Sequence, residues 1–128
     1  MRKGQVFLVL LLSAVAVLAQ GCVVAAVGAG AAGTVAYVRG DLQTVETAEM
    51  DALYKASLEA LDELELAVVQ KAKDAMTAEI ISRDAEDKKI RIKLKSTAEG
   101  MTELSIRIGM FGDETKSRLI YEAIKKEL

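Results

Sequence analysis

KIRIKLK, residues 89–95, alternates without a break. Successive side chains of an extended chain point to opposite faces. Ile90, Ile92 and Leu94 therefore share one face, and Lys89, Arg91, Lys93 and Lys95 share the other. A strand of this kind belongs to a sheet with one side against a core and one side in water. Residues 102–108 repeat the pattern through Thr102, Leu104, Ile106 and Ile108, and Glu99-Gly100 between the two runs reads as a turn. So short a link joins antiparallel neighbours.

Working outward, Leu66–Lys73 carries the β-branched pair Val68-Val69, and Met76, Ala78 and Ile80 alternate with Thr77, Glu79 and Ile81. Both stretches read as strands, with Asp84-Ala85-Glu86-Asp87 as a polar turn before residue 89. Thr34–Thr44, TVAYVRGDLQT, reads as one further strand with Gly40 as a bend or bulge. Between it and residue 66, Met50, Leu53, Tyr54, Ser57, Leu58, Leu61 and Leu64 fall on one stripe of an amphipathic helix of about 17 residues. Thr47 suits its N-cap, with Glu49 and Asp51 in its first turn. At the C-terminus, Asp113 suits the N-cap of a second helix with Ser117, Ile120, Tyr121 and Ile124 on one side. Lys125 and Lys126 there complement its dipole. The order is β-α-β-β-β-β-α. The expected fold class is α+β, with two helices packed on the apolar face of one antiparallel sheet of about five strands.

The chain has 128 residues, enough for one ordinary domain. Lys and Arg number 17 against 19 Asp and Glu, a formal net charge of −2, which gives no electrostatic reason to expect nucleic acid as a partner. Histidine is absent, removing the commonest general base and metal ligand. With a single cysteine, Cys22, neither an intrachain disulfide nor a Cys-cluster metal site can form.

The first third is different in kind. Residues 4–38 carry no charge. Arg2 and Lys3 form a short basic region, and Val6–Ala19 is an apolar run of signal-peptide length, shorter than the roughly 20 residues of a membrane span. Small Ala19 and Gly21 near its end suit a peptidase pocket. Leu18-Ala19-Gln20-Gly21-Cys22 resembles a bacterial lipobox, with Ala19 where leucine is commonest. The resemblance implies cleavage before Cys22, diacylglycerol on its sulfur and a further acyl chain on the new amine. Two or more chains hold a protein stably to a bilayer where one does not. Val23, in place of the aspartate that resembles an inner-membrane retention signal, points to the outer membrane. The expected organisation is a signal peptide at 1–21, a lipidated Gly/Ala-rich spacer at 22–33 and a periplasmic domain at 34–128.

CVVAAVGAGAAG, residues 22–33, invites two other readings. Gly28, Gly30 and Gly33 spell G-x-G-x-x-G, but the next residues, TVAYVRGD, read as a strand rather than a helix. The chain is also too short for a doubly wound sheet, so no dinucleotide and no other cofactor is expected. Gly21, Ala25, Ala29 and Gly33 form a small-xxx-small row, beside Ala26, Gly30 and Thr34, that could pair helices in a membrane. The simpler reading is a spacer, because glycine-rich chain costs entropy to order.

The mature pattern resembles a family of small uncharacterised bacterial lipoproteins through the small-residue tract after Cys22, AYVRGDL, the KIRIKLK strand and IRIGMFGDETKSRLIYEAI. That resemblance implies membrane-anchored export and brings no activity or catalytic residues.

Two surfaces are candidates for binding. Lys89, Arg91, Lys93 and Lys95, joined by Arg107 on the next strand, would make a cationic stripe for acidic polymers, lipid headgroups or a partner's carboxylates. The plain alternative is a solvated face balanced by Glu79 and Glu103, with lysines guarding against edge pairing. In GMFGDE, residues 109–114, Phe111 either contacts a ligand or tucks into the core. No nucleophile–base pair is visible, so no catalytic residue is named. The expected function is a non-enzymatic, lipid-anchored envelope protein that binds or scaffolds an envelope protein or polymer at the membrane. A small-ligand or hydrolytic module with a sheet–helix cleft, and a membrane element self-associating through the Gly/Ala tract, are the alternatives.

Overall fold

A computed structural model of the chain describes residues 2–5, 34–98 and 100–128. The chain divides into two units, Met1–Ala31 and Ala32–Leu128. In the first, residues 2–5 are helical. The lipobox Leu18–Cys22, the rest of the apolar run and the glycine-rich tract to Gly33 lie outside the described residues, as does Glu99. No helix among the described residues is long and apolar enough to cross a membrane.

The second unit is α+β. It contains β1 (Ala36–Val38), β2 (Asp41–Glu46), α1 (Met50–Glu63), β3 (Ala67–Lys73), β4 (Thr77–Arg83), β5 (Lys89–Ala98), β6 (Met101–Ile108) and α2 (Glu114–Glu127). The six strands form one antiparallel sheet in the order β1-β2-β6-β5-β4-β3. Strands β3 to β6 are successive hairpins, and β2 returns to pair with β6.

The sheet has one strand more than the sequence led us to expect. Thr34–Thr44 is not one bent strand but a hairpin. Arg39 (φ 52°) and Gly40 (φ 88°) both take left-handed backbone, and Val38 pairs with Asp41. Two such residues in succession make the tight reversal whose twist suits a two-residue hairpin. Arginine is an unusual occupant of its first position, which left the glycine alone as a turn signal.

The alternating runs fix the core. Leu42, Ile106, Ile92 and Ile80 lie in one cross-strand row, and Thr44, Leu104, Leu94 and Ala78 in the next. All eight are buried. A fully buried aliphatic side chain contributes about 1.5–3 kcal/mol, so these rows dominate the domain's stability. Both helices cover this face and touch each other, α1 over β3 to β6 and α2 over β2 and β6. From α1, Met50, Leu53, Ser57 and Leu61 are buried as the stripe predicts, joined by the small Ala56 and Ala60. Tyr54, Leu58 and Leu64 pack at its margin. From α2 come Ser117, Ile120, Tyr121 and Ile124, together with Ala123.

Helix α2 begins where the sequence places it: the Asp113 carboxylate accepts from the Lys116 amide at 3.0 Å. Helix α1 starts later than Thr47. Its first intrahelical bond runs from the Leu53 amide to the Glu49 carbonyl, 3.1 Å, which makes Glu49 the cap residue, with no side-chain capping bond. Thr102 on β6 accounts for the shift, since its hydroxyl donates to the Ala48 carbonyl at 2.8 Å and holds residue 48 outside the helix.

Candidate functional site

Opposite the helices, the sheet presents its other face to water, and the cationic stripe lies there. Cross-strand register sets Arg91 directly opposite Arg107, Lys93 opposite Ser105 and Glu79, Lys95 opposite Glu103 and Thr77, and Lys89 opposite Arg83. Strand alternation alone brings these residues to one face, because their neighbours Ile90, Ile92 and Leu94 are claimed by the core.

Like charges directly opposite on a sheet oppose pairing, and the two arginines are relieved unequally. Arg107 is fully engaged. Its guanidinium lies 3.3 Å from the Asp41 carboxylate and donates to the carbonyls of Arg39 at 2.9 Å and Met110 at 2.5 Å. It thereby fastens the 39–40 turn to the 109–112 turn. Arg91 has a weaker partner, the Glu79 carboxylate at 3.8 Å from Nε. That Nε is buried and makes no hydrogen bond among the described residues. Lys93 is exposed and makes no ion pair among them. Asp41, Arg91, Lys93, Ser105 and Arg107 line a shallow concavity of about 300 Å³. With Arg107 and Asp41 engaged with each other, the Arg91 guanidinium, the Lys93 ammonium and the Ser105 hydroxyl are the groups around this hollow suited to a carboxylate or phosphate oxyanion.

Phe111 is not in the core. It is 88% exposed and Met110 beside it 78%. The turn that carries them is held from below, because Gly112 lies against Gly40 and the Tyr37 hydroxyl so closely that a Cβ there would stand 2.5 Å from each.

Two polar arrangements had no clear sequence signal. Glu46 is buried between β2 and α2, where its carboxylate accepts from the Tyr121 hydroxyl at 2.5 Å and the Thr44 hydroxyl at 3.2 Å. Burial, with the Glu46 carboxylate alongside, pushes the Tyr121 phenol up to about 12. Asp84, in the β4–β5 turn, accepts from the Lys116 ammonium at 2.7 Å and from the amides of Glu86 and Lys88, both at 2.9 Å. The Lys116 hydrogen bond chiefly, then the Lys88 amide, holds its carboxyl below the usual range. A second hollow of about 310 Å³ lies beside this pair, bounded by Leu64, Leu66, Leu119 and Ile120. Both carboxylates are committed to structural partners, which leaves neither poised as a general base. Among the described residues no group of three His, Cys, Asp or Glu side chains is placed to hold a metal ion.

No curated protein matches the chain. Residues 5–127 do match a family described as protein of unknown function (DUF3568). That match runs through the apolar N-terminal stretch and the whole α+β unit, and the chain is a member of this uncharacterised family.

Proposed function

We propose that the chain is a lipid-anchored protein of the bacterial cell envelope whose α+β domain binds an anionic partner on its open sheet face. Residues 1–21 direct export, Cys22 receives the acyl chains and residues 22–33 tether the domain. The outer membrane, facing the periplasm, is the destination, because Val23 follows Cys22. The observation that supports the binding role is the unequal Arg91–Arg107 pair. Two cations share a row at the centre of the sheet, and the buried Nε of Arg91 has no hydrogen-bond partner among the described residues. A buried donor without an acceptor costs about 1–3 kcal/mol. An oxyanion in the adjoining hollow, against the Arg91 and Lys93 side chains, offsets the like-charge repulsion.

Metabolic labelling with an alkyne fatty acid, with cell fractionation, tests the anchor. Wild type labels at the cleaved mass and sediments with envelopes, and Cys22→Ala does not label; undiminished label on Cys22→Ala refutes the assignment. Titration with polyglutamate and with inorganic phosphate at low salt tests the face. Binding should fall at least tenfold in Arg91→Gln and remain in Lys55→Gln, on the exposed side of α1. Equal binding by both variants removes the site.

A further inference from the structure

The domain carries a second exposed feature, one that the cationic face does not use. Met110, Phe111 and Val38 are exposed large apolar side chains on two turns that Arg107 and the Gly40–Gly112 contact lock together. We infer that this tip inserts into the interfacial region of a lipid bilayer, so that the folded domain touches the membrane at one defined point. The inference rests on the anchoring reading and deepens it by naming a contact that the domain itself makes.

Three observations favour lipid as the occupant. Two of the tip's carbonyls, those of Arg39 and Met110, already accept from Arg107, which lowers the cost of desolvating them. Its rim holds one exposed cation with no ion-pair partner among the described residues, Arg39. Asp41 is paired with Arg107, the Asp113 carboxylate caps α2 and Glu114 is paired with Arg118 at 2.9 Å. A free cation beside exposed phenylalanine and methionine complements anionic headgroups over an apolar layer. Finally, an uncharged stretch, residues 4–38, runs into β1 and ends at Val38 itself. After cleavage before Cys22, the segment left between the acyl chains and the tip, residues 22–38, carries no charge that would oppose contact with a bilayer.

The chain has no tryptophan, so Phe111→Trp introduces a single reporter. The full-length protein would be reconstituted with phosphatidylethanolamine–phosphatidylglycerol vesicles, with and without bromine-labelled lipid. Co-flotation gives an independent measure of anchoring. The indole at position 111 should shift its emission to the blue and lose most of its intensity to the bromine label. Leu119→Trp, at an exposed site on α2, should do neither. Flotation with an unquenched indole at 111 overturns the tip and leaves the anchor standing. Equal quenching at 111 and 119 overturns the defined point of contact. Failure to float, with an unquenched indole at 111, overturns both readings. Arg39→Glu in the Phe111→Trp background should reduce the quenching; an unchanged signal refutes the contact of Arg39 with headgroups.

Discussion

Gly109 and Gly112 offer a controlled comparison within one turn. Both take left-handed backbone, at φ 65° and φ 82°. A Cβ added at Gly109 meets nothing within 4 Å. A Cβ added at Gly112 would stand 2.5 Å from the Gly40 Cα, the Gly40 carbonyl oxygen and the Tyr37 hydroxyl. Gly109→Ala therefore incurs only the left-handed penalty, partly offset by lower unfolded-state entropy, for a net loss of about 1 kcal/mol. Gly112→Ala incurs the same penalty plus an overlap of more than about 1 Å with backbone that cannot rotate away. Overpacking typically adds about 1–3 kcal/mol, so the total is about 2–4 kcal/mol, a large share of the 5–15 kcal/mol expected of a domain this size. Thermal unfolding followed by circular dichroism separates the two. One kcal/mol moves the midpoint of a domain this small by about 4–8 °C, so Gly112→Ala should melt at least about 4 °C below Gly109→Ala. Equal midpoints would mean that the two turns are not in contact, and the rigid tip would go with them.

Three further outcomes follow from polar groups and backbone. Tyr121 has a phenol raised from 10.0 to about 12, so its neutral form stabilises the fold fully below pH 10, and that stability is lost as pH rises from 10 to 12. The shift corresponds to at most about 3 kcal/mol, and urea unfolding of Tyr121→Phe should lack that alkaline slope. At neutral pH the same variant leaves Glu46 with Thr44 alone and should be about 1.5–3 kcal/mol less stable. The lowered carboxyl of Asp84 acts in the opposite sense, contributing stability above its ordinary range near pH 4 that is lost as pH falls through the depressed value. Asp84→Asn should flatten the acid limb of a stability–pH curve, and an unchanged limb would remove the Lys116 contact from the account. Glu65, after α1, holds φ 56° while the Leu66 amide closes on the Leu61 carbonyl at 2.8 Å, a helix stop that glycine usually fills. Glu65→Gly should be neutral to about 1 kcal/mol more stable in urea unfolding, and a clear loss would show that the glutamate side chain matters there.

Period-2 alternation located β5 and β6 from sequence because nothing competes with it: Ile90, Ile92 and Leu94, and Thr102, Leu104, Ile106 and Ile108, are the inward positions of the two runs. The same rule, carried two residues past Thr44, points Glu46 inward. A carboxylate there contradicts hydropathy, and only Tyr121, far along the chain, makes its burial tolerable. The α1 start was misplaced for a related reason. Thr47 satisfies local capping preference, yet Thr102 decides the matter from a different strand. The cationic row was legible as a row, but its inequality was not, because Arg107 is engaged by carbonyls of residues 39 and 110 that no spacing rule connects. Phe111 illustrates the limit of composition: flanking glycines allow either an inward or an outward ring, and close contact between the two turns decides for outward.

The strand order also has a kinetic meaning. Strands β3 to β6 are consecutive hairpins that can zip locally within microseconds. The pairing of β2 with β6 instead closes a loop of roughly sixty residues, a slow and entropically costly event. A polypeptide emerging N-terminus first must keep its opening hairpin unmated until Leu104 and Ile106 exist. The seam between β2 and β6 is thus the final stitch of assembly, and slow folding variants should cluster along it.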